Sequence, residues 1–188
     1  MLVVMALAGV AACGDAGDGS SRTLTADQIP VAHTPPGGYG DDFPAPVLAA
    51  CGEPLVDGAP DLRGMWKAID VTVNGAPAPP EHRGWRHFQR IEQCGDRIVI
   101  TAGGVIHDMR ADGTMENGVH DVAERDFVTP ITVVATYEDF VHVLRPVGIP
   151  IEVRRRRDGA ALVFDYAGGV SFRLERTGPP ESAPPSFD

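Results

Sequence analysis

The sequence predicts an all-β domain, an antiparallel up-and-down barrel of about eight or nine strands preceded by a disordered tether. Three observations lead there. Apolar and polar residues alternate with period two from Arg63 onward, turn signals recur every eight to twelve residues, and no stretch carries a helix-length amphipathic period. Hairpin-linked strands left as an open sheet would expose two aggregation-prone edges, which full closure removes. A β-sandwich is the competing arrangement, and it would usually require longer crossings between sheets.

The chain of 188 residues, 43% hydrophobic, is long enough for one core-bearing domain. Its formal net charge is -10, and the acidity sits at the flanks. Residues 1–62 hold eight acids and one Arg, residues 63–177 hold sixteen acids and fifteen bases, and the last eleven hold two acids. Without a basic face, the charge distribution argues against nucleic acid as a partner.

Met1–Ala12 is an uncharged apolar run, too short to span a bilayer as a helix and suited to the core of a signal peptide. Cys13 follows it directly. Val10-Ala11-Ala12-Cys13 resembles the lipobox of bacterial lipoproteins, in which small residues precede a Cys that is lipidated and becomes the mature N-terminus. The resemblance implies a membrane-anchored protein of the cell envelope. Gly14 is not the Asp that often retains such lipoproteins at the inner membrane, so it implies the outer membrane where a cell has two. From Gly14 to Ala50 the composition turns to Gly, Asp, Ser, Thr and Pro, with little to bury, and residues 13–50 are expected to form a disordered tether about 35 Å in end-to-end distance. The barrel is expected over 51–177. Residues 178–188, with four Pro, are expected to form a disordered tail. With Cys13 assigned to lipid, Cys51 and Cys94 remain, and an oxidising compartment makes their disulfide the default, a constraint of about 4 kcal/mol in the chain-entropy model.

Strands are predicted near residues 65–73, 82–94, 97–109, 114–124, 131–137, 140–145, 151–157, 160–166 and 170–176. Their turns are Asn74-Gly75, Gly95-Asp96, Asp112-Gly113, Glu138-Asp139 and Asp158-Gly159. The Gly95-Asp96 hairpin organises the rest. A two-residue loop there pairs Cys94 with Arg97, Ile91 with Ile100, Gln89 with Ala102 and Trp85 with Ile106. One face then carries Trp85, His87, Gln89, Ile91, Ile98, Ile100, Ala102 and Ile106 and faces the core. The other carries Arg90, Glu92, Cys94, Arg97, Val99, Thr101, Val105 and His107 and faces water. Gly103-Gly104 falls mid-strand and reads as a bend or bulge. In the last hairpin a three-residue loop, Ala167-Gly168-Gly169, pairs Tyr166 with Val170, Phe164 with Phe172 and Leu162 with Leu174. A two-residue loop would mix polar and apolar residues on both faces. By the same parity Ile131, Val133, Ala135 and Tyr137 share a face with Phe140, His142 and Leu144.

Leu62-Arg63-Gly64-Met65-Trp66-Lys67 resembles the opening strand of lipocalin-like proteins, with a Gly (Gly64) at a bend and a Trp (Trp66) plugging the barrel end. Ile91-Glu92-Gln93-Cys94-Gly95-Asp96-Arg97-Ile98 is similar to a hairpin of small exported lipocalin-like and avidin-like barrels. The resemblance implies a ligand cavity, and an Arg near the last strand, Arg173 or Arg176, packed over Trp66.

No catalytic constellation is visible: there is no G-x-S-x-G, no H-E-x-x-H and no phosphate-cradling Gly loop, and neither a cofactor nor a metal is expected. His107 and His120 would be diagonal neighbours across the Asp112-Gly113 hairpin, but on a wet face with no third ligand they read as surface histidines. Arg154–Arg157 splits between two faces and reads as a solvated hairpin tip. Trp85, His87, Gln89, His142 and Tyr166 fall on the inner face, where a few polar groups in an aromatic wall can orient a small ligand. The leading reading is therefore a monomeric, lipid-anchored envelope protein binding a small, partly apolar molecule. The alternative is a barrel filled by its own side chains that acts as an interaction module through its outer surface.

Overall fold

The structure, a computed structural model, describes residues 23–187. Met1–Ala12 and Cys13 lie outside the described residues. Among the described residues, eleven antiparallel strands form one sheet: β1 (Gly64–Val73), β2 (Ala76–Pro77), β3 (Phe88–Cys94), β4 (Arg97–Ala102), β5 (Val105–Arg110), β6 (Val119–Val122), β7 (Pro130–Glu138), β8 (Val141–Pro146), β9 (Val153–Asp158), β10 (Ala161–Tyr166) and β11 (Val170–Gly178). Their order is β5-β4-β3-β1-β11-β10-β9-β8-β7-β6, with the short β2 paired to β1 off this path. Neighbours in space are thus neighbours in sequence, apart from the β1–β3 pairing, which passes over the short β2, and the β1–β11 pairing of the first strand with the last. The result is the expected up-and-down antiparallel barrel, nearly closed, with its seam between β5 and β6.

Hairpin register follows the turn chemistry. Cys94 pairs with Arg97, Ile91 with Ile100 and Gln89 with Ala102, as the Gly95-Asp96 turn requires. Tyr166 pairs with Val170, Phe164 with Phe172 and Leu162 with Leu174 across the three-residue loop.

Four elements differ from expectation. Gly103 and Gly104 both adopt left-handed backbone, φ 56° and 89°, and make a tight turn rather than a bend. The expected strand 97–109 therefore becomes β4 and β5, which raises the strand count and reverses the parity beyond the turn. Ile106, opposite Thr101, points outward, and His107, opposite Ile100, points inward. Residues 83–86 form a 3-10 helix in place of a strand, with the His82 Nδ1 accepting from the Gly84 N–H at 3.1 Å, so Trp85 has no partner in Ile106. Asp112 accepts from Thr114 N–H at 2.8 Å and from Asn117 Nδ2 at 2.6 Å, which opens a broad turn and leaves only Val119–Val122 as strand. The β7–β8 turn is Asp139-Phe140, one residue later than expected, and it expels Phe140 to 66% exposure.

The largest departure concerns residues 23–50. Instead of a tether they form a strap over the outer face of β3, β4 and β5. Leu24 begins beside Cys51, bonded to Ala50 and Gly52. The strap runs down β4–β5 to Gly104, whose carbonyl accepts from Tyr39 N–H at 3.0 Å. It then returns along β3, where Pro44 O accepts from Arg90 and Leu48 N–H donates to Glu92 at 2.6 Å. The supposedly wet face is thereby buried: Cys94, Val99 and Ile106 form a second apolar cluster with Ala26, Ile29 and Leu48. Beneath it Arg97 and Asp108 make a buried ion pair at 2.6 Å. Thr34 spans the seam, exchanging hydrogen bonds with Ile106 on β5 and donating its N–H to Asp121 on β6 at 2.9 Å. The Cys51–Cys94 disulfide staples the strap's end to β3, with Cα atoms 6.1 Å apart. The C-terminal tail is likewise docked: Lys67 Nζ donates to Ser186 O at 2.9 Å and lies over the Phe187 ring.

Inside, the core is built on Leu62, Trp66, Ile91, Ile98, Leu162 and Leu174. Trp66 plugs the end that carries the Gly95-Asp96 turn, with its Nε1 donating to Leu62 O at 2.8 Å. The arginine over its ring is Arg157, at 4.9 Å, not Arg173 or Arg176. Arg173 pairs with Asp158, and Arg176 Nε donates to Arg63 O at 3.1 Å. Gly64 has φ 151°, and a Cβ there would stand 2.6 Å from Arg176 Nε, so the bend tolerates no side chain.

Candidate functional site

Opposite the Trp66 plug the barrel is open. β3 runs from Phe88 up to Cys94 and β4 returns to Ala102, so the Gly103-Gly104 turn lies at the far end from Gly95. That turn, the Ala167–Gly169 loop and the 3-10 helix rim a cavity of about 460 Å³, walled by His87, Phe164, Tyr166 and Phe172, with Arg83 and Glu124 at its edge. The aromatic wall follows from register. Phe164 opposite Phe172 places the rings 5.2 Å apart and nearly parallel, and His87 from β3's approach lies 4.8 Å from Phe172 and 5.3 Å from Phe164. Glu124 folds over Gly103, where any Cβ would collide with its carboxyl group. Burial raises its pKa, while the charges of Arg83 and Arg155 pull it back.

Below the mouth a polar layer is enclosed in the apolar interior. One row of side chains crosses five strands: Tyr137 (β7) opposite His142 (β8), His142 opposite Arg155 (β9), Arg155 opposite Phe164 (β10), and Phe164 opposite Phe172 (β11). Arg155 is 6% exposed and stacks on Phe164 at 4.2 Å. Its Nε donates to Gln89 Oε1 at 3.1 Å, which leaves Gln89 Nε2 free. Among the described residues, Gln89 Nε2, Arg155 Nη1, His87 Nε2 and both ring nitrogens of His142 are buried without a hydrogen-bond partner. Such orphans are rare in native interiors.

Burial in this layer governs protonation. Desolvation, reinforced by the Arg155 charge, lowers the His87 pKa to about 4 and that of His142 well below the ordinary histidine value. Desolvation lowers that of Arg155 to about 9, against the opposing charges of Tyr166 and Glu124. For both histidines the folded pKa lies below the unfolded one, so acid favours unfolding. The stabilisation from neutral His87 is complete above about pH 6.5 and is lost as pH falls toward 4, and that from His142 declines from the same upper bound. Glu92 and Glu124, whose pKa values burial raises, act in the opposite sense over the lower part of that window. Replacing His87 with Phe removes one term only. The variant's denaturation midpoint is expected to fall less steeply than the wild type's between pH 6.5 and 4, and parallel profiles would refute the assignment.

Of the expected ligand residues, His87 and Tyr166 line the mouth, the latter 45% exposed. Gln89 and His142 lie beneath it in the closed interior rather than on the cavity wall. Trp85 is outside the site: its Nε1 donates to Pro79 O at 2.9 Å and its ring packs against the core's edge. Arg155 was hidden in the charge run Arg154–Arg157, yet alternation separates it from Arg154 and Arg156, which pair with Glu152 and Asp165. Parity with Phe164 is the signal that could have found it. His107 and His120 do not converge: His107 Nε2 meets Val122 O at 3.2 Å on the barrel wall, while the exposed His120 meets Met115 O at 2.8 Å. Two further cavities lie outside the barrel, one of about 380 Å³ under the strap and one of about 650 Å³ near the Trp66 end. No family model, curated protein or solved structure matches the chain.

Proposed function

We propose that this chain is a lipid-anchored lipoprotein of the cell envelope whose lipocalin-like barrel binds a small, partly apolar molecule in its open mouth. The observation that carries the binding reading is the cavity of about 460 Å³, with an aromatic wall of Phe164, Phe172 and Tyr166 and with His87 among its lining residues. This is the composition of a small-molecule site, apolar surface for affinity and a few polar atoms for orientation. The anchor reading rests on Val10-Ala11-Ala12-Cys13. Leu24 lies at the plugged end beside Cys51, so an anchor upstream of it would leave the mouth pointing away from the attachment end. Gly14 after the lipidated Cys supports outer-membrane placement where the cell has two membranes.

The filled-barrel alternative draws support from the packing of the lower interior around Trp66, Leu162 and Leu174. Native mass spectrometry of the full chain, extracted from membranes of an expressing bacterium, separates the two. The binding reading expects an acyl mass increment that vanishes in Cys13→Ser, and a retained small molecule that is lost in a Phe172→Ala variant. An acylated protein that stays empty when challenged with apolar ligands would transfer the case to the interaction module; a wild type without acylation would remove the anchor.

A further inference from the structure

We infer that the layer formed by Arg155, Gln89, His142 and His87 is an anion site that takes one monovalent anion, either a free ion or the carboxylate of the mouth ligand. The carboxylate source rests on the ligand-binding reading above; the free-ion source does not.

The argument begins with what the layer lacks. Arg155 is a cation inside the barrel with no carboxylate in contact among the described residues; Glu124 acts on it only across the mouth. A buried charge without a partner costs several kcal/mol. The unpartnered atoms around it are predominantly donors. Gln89 Nε2 must be the amide nitrogen, because Arg155 Nε already occupies Oε1, and Arg155 Nη1 is a donor by nature. His87 Nε2 and the His142 ring can each add one N–H. A donor-rich set around an uncompensated positive charge is complementary to an acceptor-only group. Water would satisfy individual donors but leave the charge unneutralised.

Charge and shape narrow the class. With both histidines neutral, the layer carries one positive charge, matching a halide, nitrate or carboxylate rather than sulfate or hydrogen phosphate. Phe164 sets the route of entry, since one face of its ring covers Arg155 at 4.2 Å while the ring also walls the mouth. Rotation of this one side chain would join the cavity to the guanidinium, so a ligand with an apolar body in the mouth could place its carboxylate on Arg155.

The test is thermal unfolding and calorimetric titration of the full chain at constant ionic strength, with bromide, acetate and octanoate as probes and sulfate as control. Saturable stabilisation by bromide and both carboxylates, absent with sulfate and abolished in Arg155→Met, establishes a free-anion site. The same result with octanoate alone assigns the anion to a mouth ligand. Arg155→Met is also expected to be at least as stable as wild type in buffer without these anions, because it removes an unpaired buried charge. If it does not fold, Gln89→Leu serves in its place, with affinity expected to fall about tenfold for one charged hydrogen bond. Anion effects identical in wild type and variant, or none at all, overturn the inference. Neutral apolar ligands that still bind in that case would leave the mouth reading standing, and bromide binding without any organic ligand would do the reverse.

Discussion

Replacing Asp108 with Ala is expected to lower stability by about 3–5 kcal/mol. The Asp108 carboxylate accepts from Arg97 Nε at 2.8 Å and from Arg97 Nη2 and Ala32 N–H, all within the buried space under the strap. Arg97 spends its remaining donors on strap carbonyls, Ala26 and Ile29 through Nη1 and Pro30 through Nη2. Removing the acid therefore leaves a full positive charge buried among dipoles and orphans the Ala32 amide. Desolvation of the stranded guanidinium, not the lost attraction, makes up most of the cost. Against a total stability of about 5–15 kcal/mol, the variant should denature at a much lower urea concentration, with an unchanged slope if the native state stays intact. Asp108→Asn keeps one acceptor and should lose less. A midpoint within error of wild type for the Ala variant would mean that the strap does not seal this pair from water.

Deleting residues 23–49, which leaves Cys51 in place, is expected to make the barrel associate with copies of itself. The strap covers Val99 and Ile106 with Ile29 and Leu48, and burial of each such side chain contributes about 1.5–3 kcal/mol as an upper estimate. It also supplies the Thr34 bonds that join β5 to β6 across the seam. Without it, two unpaired strand edges and an apolar face reach solvent together, the combination that drives edge-to-edge association. Light scattering should show concentration-dependent oligomers, an apolar dye should bind, and the denaturation midpoint should fall. A truncated protein no more associated than the wild type and equally stable would restore the view of this segment as a passive tether.

The strap was illegible for an energetic reason. Its apolar residues are few and aperiodic, so its composition matches that of a chain unable to offset its own ordering entropy. What it offers instead is backbone: carbonyls and amides satisfied by Arg90, Glu92, Arg97 and Asp108, side chains 44 to 76 residues away in sequence. A polar face of β3–β5 looks the same in the sequence whether water or another part of the chain solvates it. The polar layer in the barrel was half legible, because parity placed Gln89 and His142 inward correctly, while the run of four arginines concealed that Arg155 follows the same rule.

Local chemistry determined what the sequence alone could determine. Turn residues and strand alternation act over a few residues, so they specify the registers at Gly95-Asp96 and Ala167–Gly169, the up-and-down order of the strands and the row in which Phe164 faces Phe172. With Cys13 set aside on the lipobox resemblance, Cys51 and Cys94 were the pair that remained, and the structure joins them. Only the tertiary structure decided which of the two sheet faces meets solvent, that two glycines turn the chain at residue 103 and so send His107 inward, and that Arg155 lies under Phe164 with no counter-charge in contact among the described residues. Those outcomes depend on which distant surface comes to lie against a residue. That is set by the closure of the whole barrel, and no window of neighbouring residues contains it.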